Sequence, residues 1–97
     1  MTKRTIKPIH PMLCRVCGLE QKVYPWGATG AKPSFEICAC CGVEFGHDDA
    51  TETGVRRARE KWMKAGYPWA DASRKPHGWI PDHQLARLEG TQWDPWA

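Results

Sequence analysis

The clearest hydrophobic pattern lies in the second half of the chain, beginning after Thr51. Four apolar positions recur there at intervals of three and four: Val55, Ala58, Trp62 and Ala65. This spacing is the period of an amphipathic α-helix. Thr51 or Thr53 supplies a side-chain oxygen for the first turn, and Gly66 ends the pattern. The sequence therefore predicts one helix between these threonines and Gly66, with its apolar stripe facing the core.

A second, shorter helix is predicted over residues 82–89. Pro81 stands near its first turn, where proline is tolerated, and Gly90 follows its last residue. Leu85 and Leu88 are three positions apart, so we expect both to face inward.

The first half of the chain is rich in turn residues. Residues 19–26 and 34–38 are short strand candidates, separated by a segment of glycine, alanine and proline at residues 27–33. This spacing predicts a short β-hairpin. Residues 1–12 show no hydrophobic period and are predicted to form an extended arm. The segment 67–80, between the two helices, is predicted to be an ordered loop.

The composition calls for a stabilising element besides the core. Leu, Ile, Val and Phe together number 14 of 97 residues, whereas the chain has six Trp and five Cys. A chain of this length is one domain of residues 1–97, and its aliphatic core alone would be marginal. Most of the tryptophans are therefore expected to be core, and a bound metal is expected to supply the rest. A two-domain enzyme is excluded.

The sequence predicts a cytoplasmic protein, because it has no long apolar segment and an odd number of cysteines. The longest uncharged run, residues 23–31, is far shorter than the ~20 residues that span a bilayer. The basic start is not followed by the apolar stretch of ~7 to 15 residues that a signal peptide carries. With an odd number of cysteines, we expect cytoplasmic, reduced thiols that bind metal and no disulfide framework.

Two C-x-x-C-G motifs carry the strongest chemical signal, with 20 residues between the last cysteine of the first and the first cysteine of the second. Each motif presents two sulfurs on one side of a tight turn, and the glycine tolerates the left-handed backbone that follows. The spacing predicts one structural Zn²⁺, with rubredoxin-like iron as the alternative. The predicted ligands are Cys14, Cys17, Cys38 and Cys41. Cys40 lies inside the second turn and outside this set.

A site with four thiolates is closed. It leaves no coordination position for an activated water, so we expect a structural role and no enzyme activity. Structural zinc sites contribute ~10–16 kcal/mol in peptides, which is comparable to the whole stability of a small domain.

His47, Asp48 and Asp49 form the one other constellation that could bind metal or act as acid and base. A catalytic interpretation requires these three groups to converge. Asp48, Asp49 and Glu52 also precede the predicted helix, where carboxylates cap backbone N–H groups. We therefore predict capping, and keep ligation, catalysis and partner contact as alternatives.

Charge is segregated along the chain. Residues 44–53 carry four acidic residues and no basic one, whereas residues 54–75 carry seven basic and two acidic residues. The basic residues are Arg56, Arg57, Arg59, Lys61, Lys64, Arg74 and Lys75. Adjacent faces of opposite charge predict a protein partner, and the alternatives are a nucleic acid bound by the basic face or a solvated helix with a Glu60–Lys64 pair. Trp93 and Trp96 are the candidates for an exposed anchor.

Three stretches of the sequence resemble the bacterial cysteine-rich CPCC family. They are Ser-Phe-Glu-Ile-Cys-Ala-Cys-Cys-Gly-Val-Glu-Phe-Gly-His-Asp-Asp at residues 34–49, the lysine-tryptophan segment at residues 61–69, and residues 81–88. Ala39 stands where the family name implies proline. The resemblance implies a zinc-ribbon-like unit and suggests an immunity or antitoxin role against a cognate toxin.

Together these observations predict a small α+β protein. An irregular zinc ribbon of two knuckles with a short β-hairpin, residues 13–45, would pack against one long and one short helix in a tryptophan-rich half, residues 51–97. We expect a zinc-binding, non-enzymatic module that binds another protein, with nucleic-acid binding as the alternative. The sequence does not define the oligomeric state.

Overall fold

The computed structural model describes residues 5–96. Residues 1–4 of the predicted arm and Ala97 of the helical half lie outside the described residues. In chain order the elements are helix α1, Glu52–Lys64, a 3₁₀ turn at Ala72–Arg74, helix α2, Pro81–Leu85, and a 3₁₀ turn at Ala86–Leu88.

The predicted α+β fold class is wrong. Within residues 5–96 there is no strand and no sheet, and pairing is limited to two isolated antiparallel bridges, Leu13–Glu20 and Ile37–Glu44. Each bridge joins the two residues that flank one C-x-x-C-G motif. The bridges therefore do not pair residues 19–26 with 34–38, as the predicted hairpin requires. A long helix is not present either, because α1 has only 13 residues.

Helix α1 starts and ends where its sequence pattern indicates. Thr51 is the N-cap, and its hydroxyl accepts a hydrogen bond from the Gly54 amide at 3.0 Å. Gly66 follows the helix with a left-handed φ of +90°, the conformation that glycine adopts readily at helix ends. The buried residues are Val55, Arg59 and Trp62.

Helix α2 is shorter than predicted. Pro81 occupies its first turn, and after Leu85 the chain tightens into the 3₁₀ turn. Leu85 and Leu88 are both fully buried, as the sequence predicts. The connecting segment is ordered and includes the 3₁₀ turn at Ala72–Arg74, whose cap is the Asp71 carboxylate.

Aromatic side chains fill the space between the helices and the cysteine-rich half. The Trp62 ring meets the Tyr67 ring edge-on at 5.1 Å, and Trp69 meets Trp79 in the same way at 5.3 Å. Such edge-to-face pairs add stability beyond the area they bury. Trp93 is also buried, so its predicted role as an exposed anchor is wrong, whereas Trp96 remains 48% exposed.

Between residues 5 and 96, no helix combines the length and the apolar character that crossing a bilayer requires.

Candidate metal centre

The two C-x-x-C-G motifs fold into knuckles with the same backbone hydrogen bonds, 24 residues apart. In the first knuckle, the Gly18 amide donates to the Cys14 carbonyl at 2.9 Å, and the Cys14 amide donates to the Leu19 carbonyl at 3.0 Å. In the second, Gly42 and Cys38 take the same roles at 3.0 and 2.9 Å. Gly18 and Gly42 have φ values of +80° and +81°, so each knuckle uses its glycine for a left-handed turn.

This repeat brings the four predicted ligands together. The Sγ atoms of one group of four cysteines lie within 4.8 Å of one another: Cys14, Cys17, Cys38 and Cys41. Two close contacts join the knuckles, since the Cys14–Cys41 Sγ distance is 3.7 Å and the Cys17–Cys38 Sγ distance is 3.6 Å. Sulfurs at the corners of a tetrahedron, each ~2.3 Å from a central ion, stand ~3.8 Å apart. The four sulfurs therefore fit one tetrahedral metal ion.

Burial makes the cluster a strong cation site. Three of the four cysteines are fully buried, and Cys41 is partly exposed. Hydrogen bonds from Cys14, Cys17 and Cys41 lower the pKa of the Cys38 thiol, whereas burial raises the pKa of Cys17. Because ligation requires all four thiolates, a metal ion supplies the positive charge that this enclosure needs.

Cys40 is buried beside the centre but is not one of the four clustered sulfurs. The Gln84 side-chain amide lies 3.5 Å from its Sγ atom, and a hydrogen bond from Cys17 lowers its pKa. The Cys40 carbonyl accepts a hydrogen bond from the Ala70 amide at 2.9 Å. Cys40 therefore helps to join the second knuckle to the segment that follows α1.

Arg59 holds the first knuckle from the side of α1. Its Nε atom donates to the Val16 carbonyl at 2.8 Å, and its Nη2 atom donates to the carbonyls of Arg15 and Trp93 at 2.8 and 2.6 Å. The side chain is only 7% exposed, and burial lowers its pKa while the cysteines nearby oppose that shift. The sequence prediction that Arg59 belongs to the basic surface is therefore wrong. Its position four residues after Val55, on the buried side of α1, is the signal that could have identified it.

Gln84 is a second buried polar residue that the sequence did not single out. Its Nε2 atom donates to the Cys17 carbonyl at 3.0 Å, and its Oε1 atom accepts from the Trp79 indole at 3.0 Å. A Cβ atom on Gly18 would overlap the carbonyl oxygen of Gln84, so α2 lies directly on the first knuckle. The sequence signal that could have identified Gln84 as buried is its position next to Leu85, which is predicted to face inward.

A backbone hydrogen bond and the Gln21 side chain also hold the second knuckle. The Asp71 amide donates to the Ala39 carbonyl at 2.9 Å. The Gln21 side-chain amide lies 3.4 Å from the Cys38 sulfur. Donors of this kind stabilise negative charge on a ligating thiolate.

His47, Asp48 and Asp49 do not converge on one point. Asp49 is fully buried, and its carboxylate accepts hydrogen bonds from the Trp26 indole at 2.8 Å and the Gly46 amide at 2.7 Å. The His47 Nε2 atom and an Asp48 oxygen are 4.0 Å apart on the surface.

The capping role predicted for the two aspartates is wrong as well. Asp48 accepts a hydrogen bond from the Glu44 amide at 3.2 Å, and Thr51 caps the helix. Glu52 does lie in the first turn of α1, where its charge complements the helix dipole.

Most of the basic surface remains after Arg59 is removed from it. The exposed members are Arg56, Arg57, Lys61, Lys64, Arg74 and Lys75. The predicted Glu60–Lys64 pair forms at 2.9 Å, with both side chains well exposed. Glu44, Asp48 and Glu52 are exposed, whereas Asp49 is not, so the acidic side keeps three of its four members.

The donor set limits the chemistry of the centre. Four thiolates suit Zn²⁺ or an iron ion and leave no open position on a tetrahedral metal. No family model, curated protein or solved structure matches this chain. The arrangement of the four cysteines is therefore the basis on which a function can be argued.

Proposed function

We propose that this protein is a zinc-stabilised, non-enzymatic module that binds another protein. The single observation that carries the proposal is the cluster of four cysteine Sγ atoms within 4.8 Å of one another. A tetrahedral ion held by four thiolates has no position for substrate or water, so its contribution is to stability. The surface, and not the metal, is then the working part of the molecule.

Zinc is the proposed metal because its ligand chemistry agrees with the site. Zn²⁺ has no redox chemistry and takes Cys₄ tetrahedra in structural sites. With four thiolates it would add a charge of −2 to the formal +3 of the chain, which leaves the folded protein nearly neutral.

Metal analysis tests this part of the proposal. Protein purified without added metal should contain one zinc per chain, and Co²⁺ replacement should give the absorption bands of a tetrahedral tetrathiolate site. Cys40→Ala is the matched control, because this buried cysteine lies outside the four-sulfur cluster, and it should retain the metal. Stoichiometric iron would contradict the zinc assignment, and a metal-free folded protein would contradict the whole proposal.

The segregation of exposed charge supports a protein partner. A nucleic acid attracted by Arg57 and Lys61 would meet Asp48 beside them, since all three line one surface cavity of about 560 Å³. A protein can match both signs of charge at once. In its most specific form, suggested by the resemblance to the CPCC family, the partner is a bacterial toxin that this chain neutralises.

Two binding experiments separate the partner classes. The product of the neighbouring reading frame, mixed with the zinc-loaded protein, should form a 1:1 complex in the immunity interpretation, and no complex would contradict that form. Titration with duplex DNA and single-stranded RNA at several salt concentrations tests the alternative. Nucleic-acid binding would weaken with a log–log slope of about −0.7 to −0.9 per phosphate contacted.

A further inference from the structure

Four large apolar side chains are exposed where the chain runs outward from the two knuckles. They are Val23 at 50%, Tyr24 at 45%, Phe35 at 62% and Ile37 at 64% exposure. We call this set the outer patch. The two segments that carry it run in opposite directions side by side, because Gln21 contacts the Cys38 sulfur at 3.4 Å and the Ser34 amide donates to the Pro25 carbonyl at 2.9 Å.

Comparison of the two knuckles shows that the residue before the first cysteine is strongly exposed only in the second one. Leu13 and Ile37 occupy the same position in the repeat, each one residue before the first cysteine and each bridged to a glutamate. Leu13 is partly buried, and its amide donates to the His10 carbonyl of the N-terminal segment. Ile37 is 64% exposed. The described part of the chain therefore covers one knuckle and leaves its counterpart open.

Phe35 combines two unfavourable features. Its φ of +61° lies in the left-handed region, which a Cβ atom disfavours. Its side chain is 62% exposed, so the fold gains little from burying the ring. Strained residues of this kind are found where a binding or catalytic function maintains them.

The rim of the outer patch is acidic. Glu20 and Glu44 lie opposite Leu13 and Ile37 in the bridges, and Glu36 stands between Phe35 and Ile37. Lys22 is the basic residue next to Val23. All three glutamates and Lys22 are exposed, and none of them has an ion pair among the described residues. Lys32 is also exposed, in the segment that joins Tyr24 to Phe35, so the charged residues between positions 20 and 44 carry a net charge of −1 that a partner can match.

We propose that the outer patch is the docking surface for a partner protein segment whose apolar side chains are flanked by Lys or Arg. This inference rests on the proposed function, and adds an apolar docking surface to the charged face described above. The apolar residues would supply the buried centre of the interface, and the glutamates would form its polar rim. The acidic rim disfavours nucleic acid at this surface, since phosphates would be repelled.

A phage-displayed library of random peptides, selected on the zinc-loaded full chain, supplies the probe. We expect enriched peptides that combine aromatic or aliphatic residues with Lys or Arg. Measured with the synthetic peptide, Phe35→Asn and Ile37→Asn should each weaken binding by about tenfold or more, as truncation at an interface centre does. Ile80→Asn is the matched control, because Ile80 is 48% exposed outside the patch, and its affinity should stay within about twofold.

Folding is tested separately in the same variants. Asn tolerates a left-handed φ, so Phe35→Asn should keep its zinc and melt no lower than the parent chain. Glu36→Gln combined with Glu44→Gln should weaken peptide binding and reduce its salt dependence. If the enriched peptides bind Phe35→Asn and Ile37→Asn as tightly as the parent, the outer patch is not the docking surface, although the proposed function stands.

Two further outcomes would overturn the inference. Selection that enriches no peptide would contradict the outer patch as a docking surface for a protein segment, whereas the proposed function is tested by complex formation with a whole protein. Sedimentation that shows a dimer dissolved by Phe35→Asn would assign the patch to a second copy of this chain, and not to a different protein.

Discussion

The Nε atom of Arg59, at the centre of α1, donates a 2.8 Å hydrogen bond to the backbone carbonyl of Val16, between the two cysteines of the first knuckle. This contact joins residues 43 positions apart, and it couples the helix directly to the metal centre. With the bonds to Arg15 and Trp93, one buried guanidinium satisfies three carbonyl groups. Its positive charge also lies close to the thiolates, so it offsets part of their negative charge.

Arg59→Met should therefore destabilise the zinc-loaded protein by about 3–5 kcal/mol, because three buried carbonyls would lose their donor. Zinc affinity should fall as well, since the first knuckle would lose its support. Arg59→Lys should recover only part of the loss, because an ammonium cannot reproduce the planar guanidinium geometry. Denaturant unfolding and zinc competition with a chromophoric chelator measure the two effects.

Arg56→Met is the matched control for this variant. Arg56 is on the same helix but exposed, and its substitution should change stability by less than about 0.5 kcal/mol. Equal effects of the two substitutions would contradict the role assigned to Arg59.

Removal of the metal should unfold most of the chain. Structural zinc sites contribute ~10–16 kcal/mol, which is comparable to the ~5–15 kcal/mol that stabilises an ordinary domain. On addition of a strong chelator, we expect the tryptophan emission to shift to the red and the near-UV circular dichroism to disappear. Cys17→Ala should reproduce this result without chelator, whereas Cys40→Ala should not. A chelated protein that still melts cooperatively would contradict the metal's structural role.

The metal ligands and the main helix could be predicted because their signals are local. A C-x-x-C-G motif determines the form of its own turn, and the Thr51 cap and the stripe through Trp62 determine α1 with little help from the rest of the chain. The hairpin could not be predicted correctly. The residues that flank each pair of cysteines pair with each other, as Ile37 does with Glu44, and only the folded knuckle shows this.

The buried polar residues depend on long-range contacts. In the sequence Arg59 resembles the other surface cations of α1. Only the folded structure shows that it donates to the carbonyls of Val16 and Trp93. Asp49 likewise stands where the sequence predicts a helix cap. Its actual partner, the Trp26 indole, is 23 positions away, so this contact is visible only in the folded chain. Composition alone does not determine which members of a charged run are buried.

Acid should release the metal and unfold the protein together. Zinc binds the thiolate form of cysteine, and an ordinary thiol has a pKa of ~8.5, so protons compete with the metal for the four sulfurs as the pH falls. The stability that the bound metal contributes is therefore present at neutral pH and is lost as acid protonates the sulfurs. Zinc release and tryptophan emission should therefore change over the same acidic pH range. A change in emission at a clearly higher pH than zinc release would contradict this coupling.

Gly18 and Gly30 provide a matched pair that tests how closely α2 lies on the first knuckle. Their φ values are +80° and +82°, so a methyl group costs both about 1 kcal/mol in backbone strain. Around Gly30 no other atom lies within 4 Å of a Cβ position, whereas at Gly18 the Cβ atom would overlap the carbonyl oxygen of Gln84. Gly18→Ala should therefore cost about 1–3 kcal/mol more than Gly30→Ala, the usual range for overpacking.

Because Gln84 also donates to the Cys17 carbonyl, Gly18→Ala should lower zinc affinity, and Gly30→Ala should leave it unchanged. Thermal unfolding of the two zinc-loaded variants, followed by chelator competition, measures both quantities. Equal losses in the two variants would mean that α2 is not held against the knuckle at Gly18, and that backbone strain accounts for the whole effect.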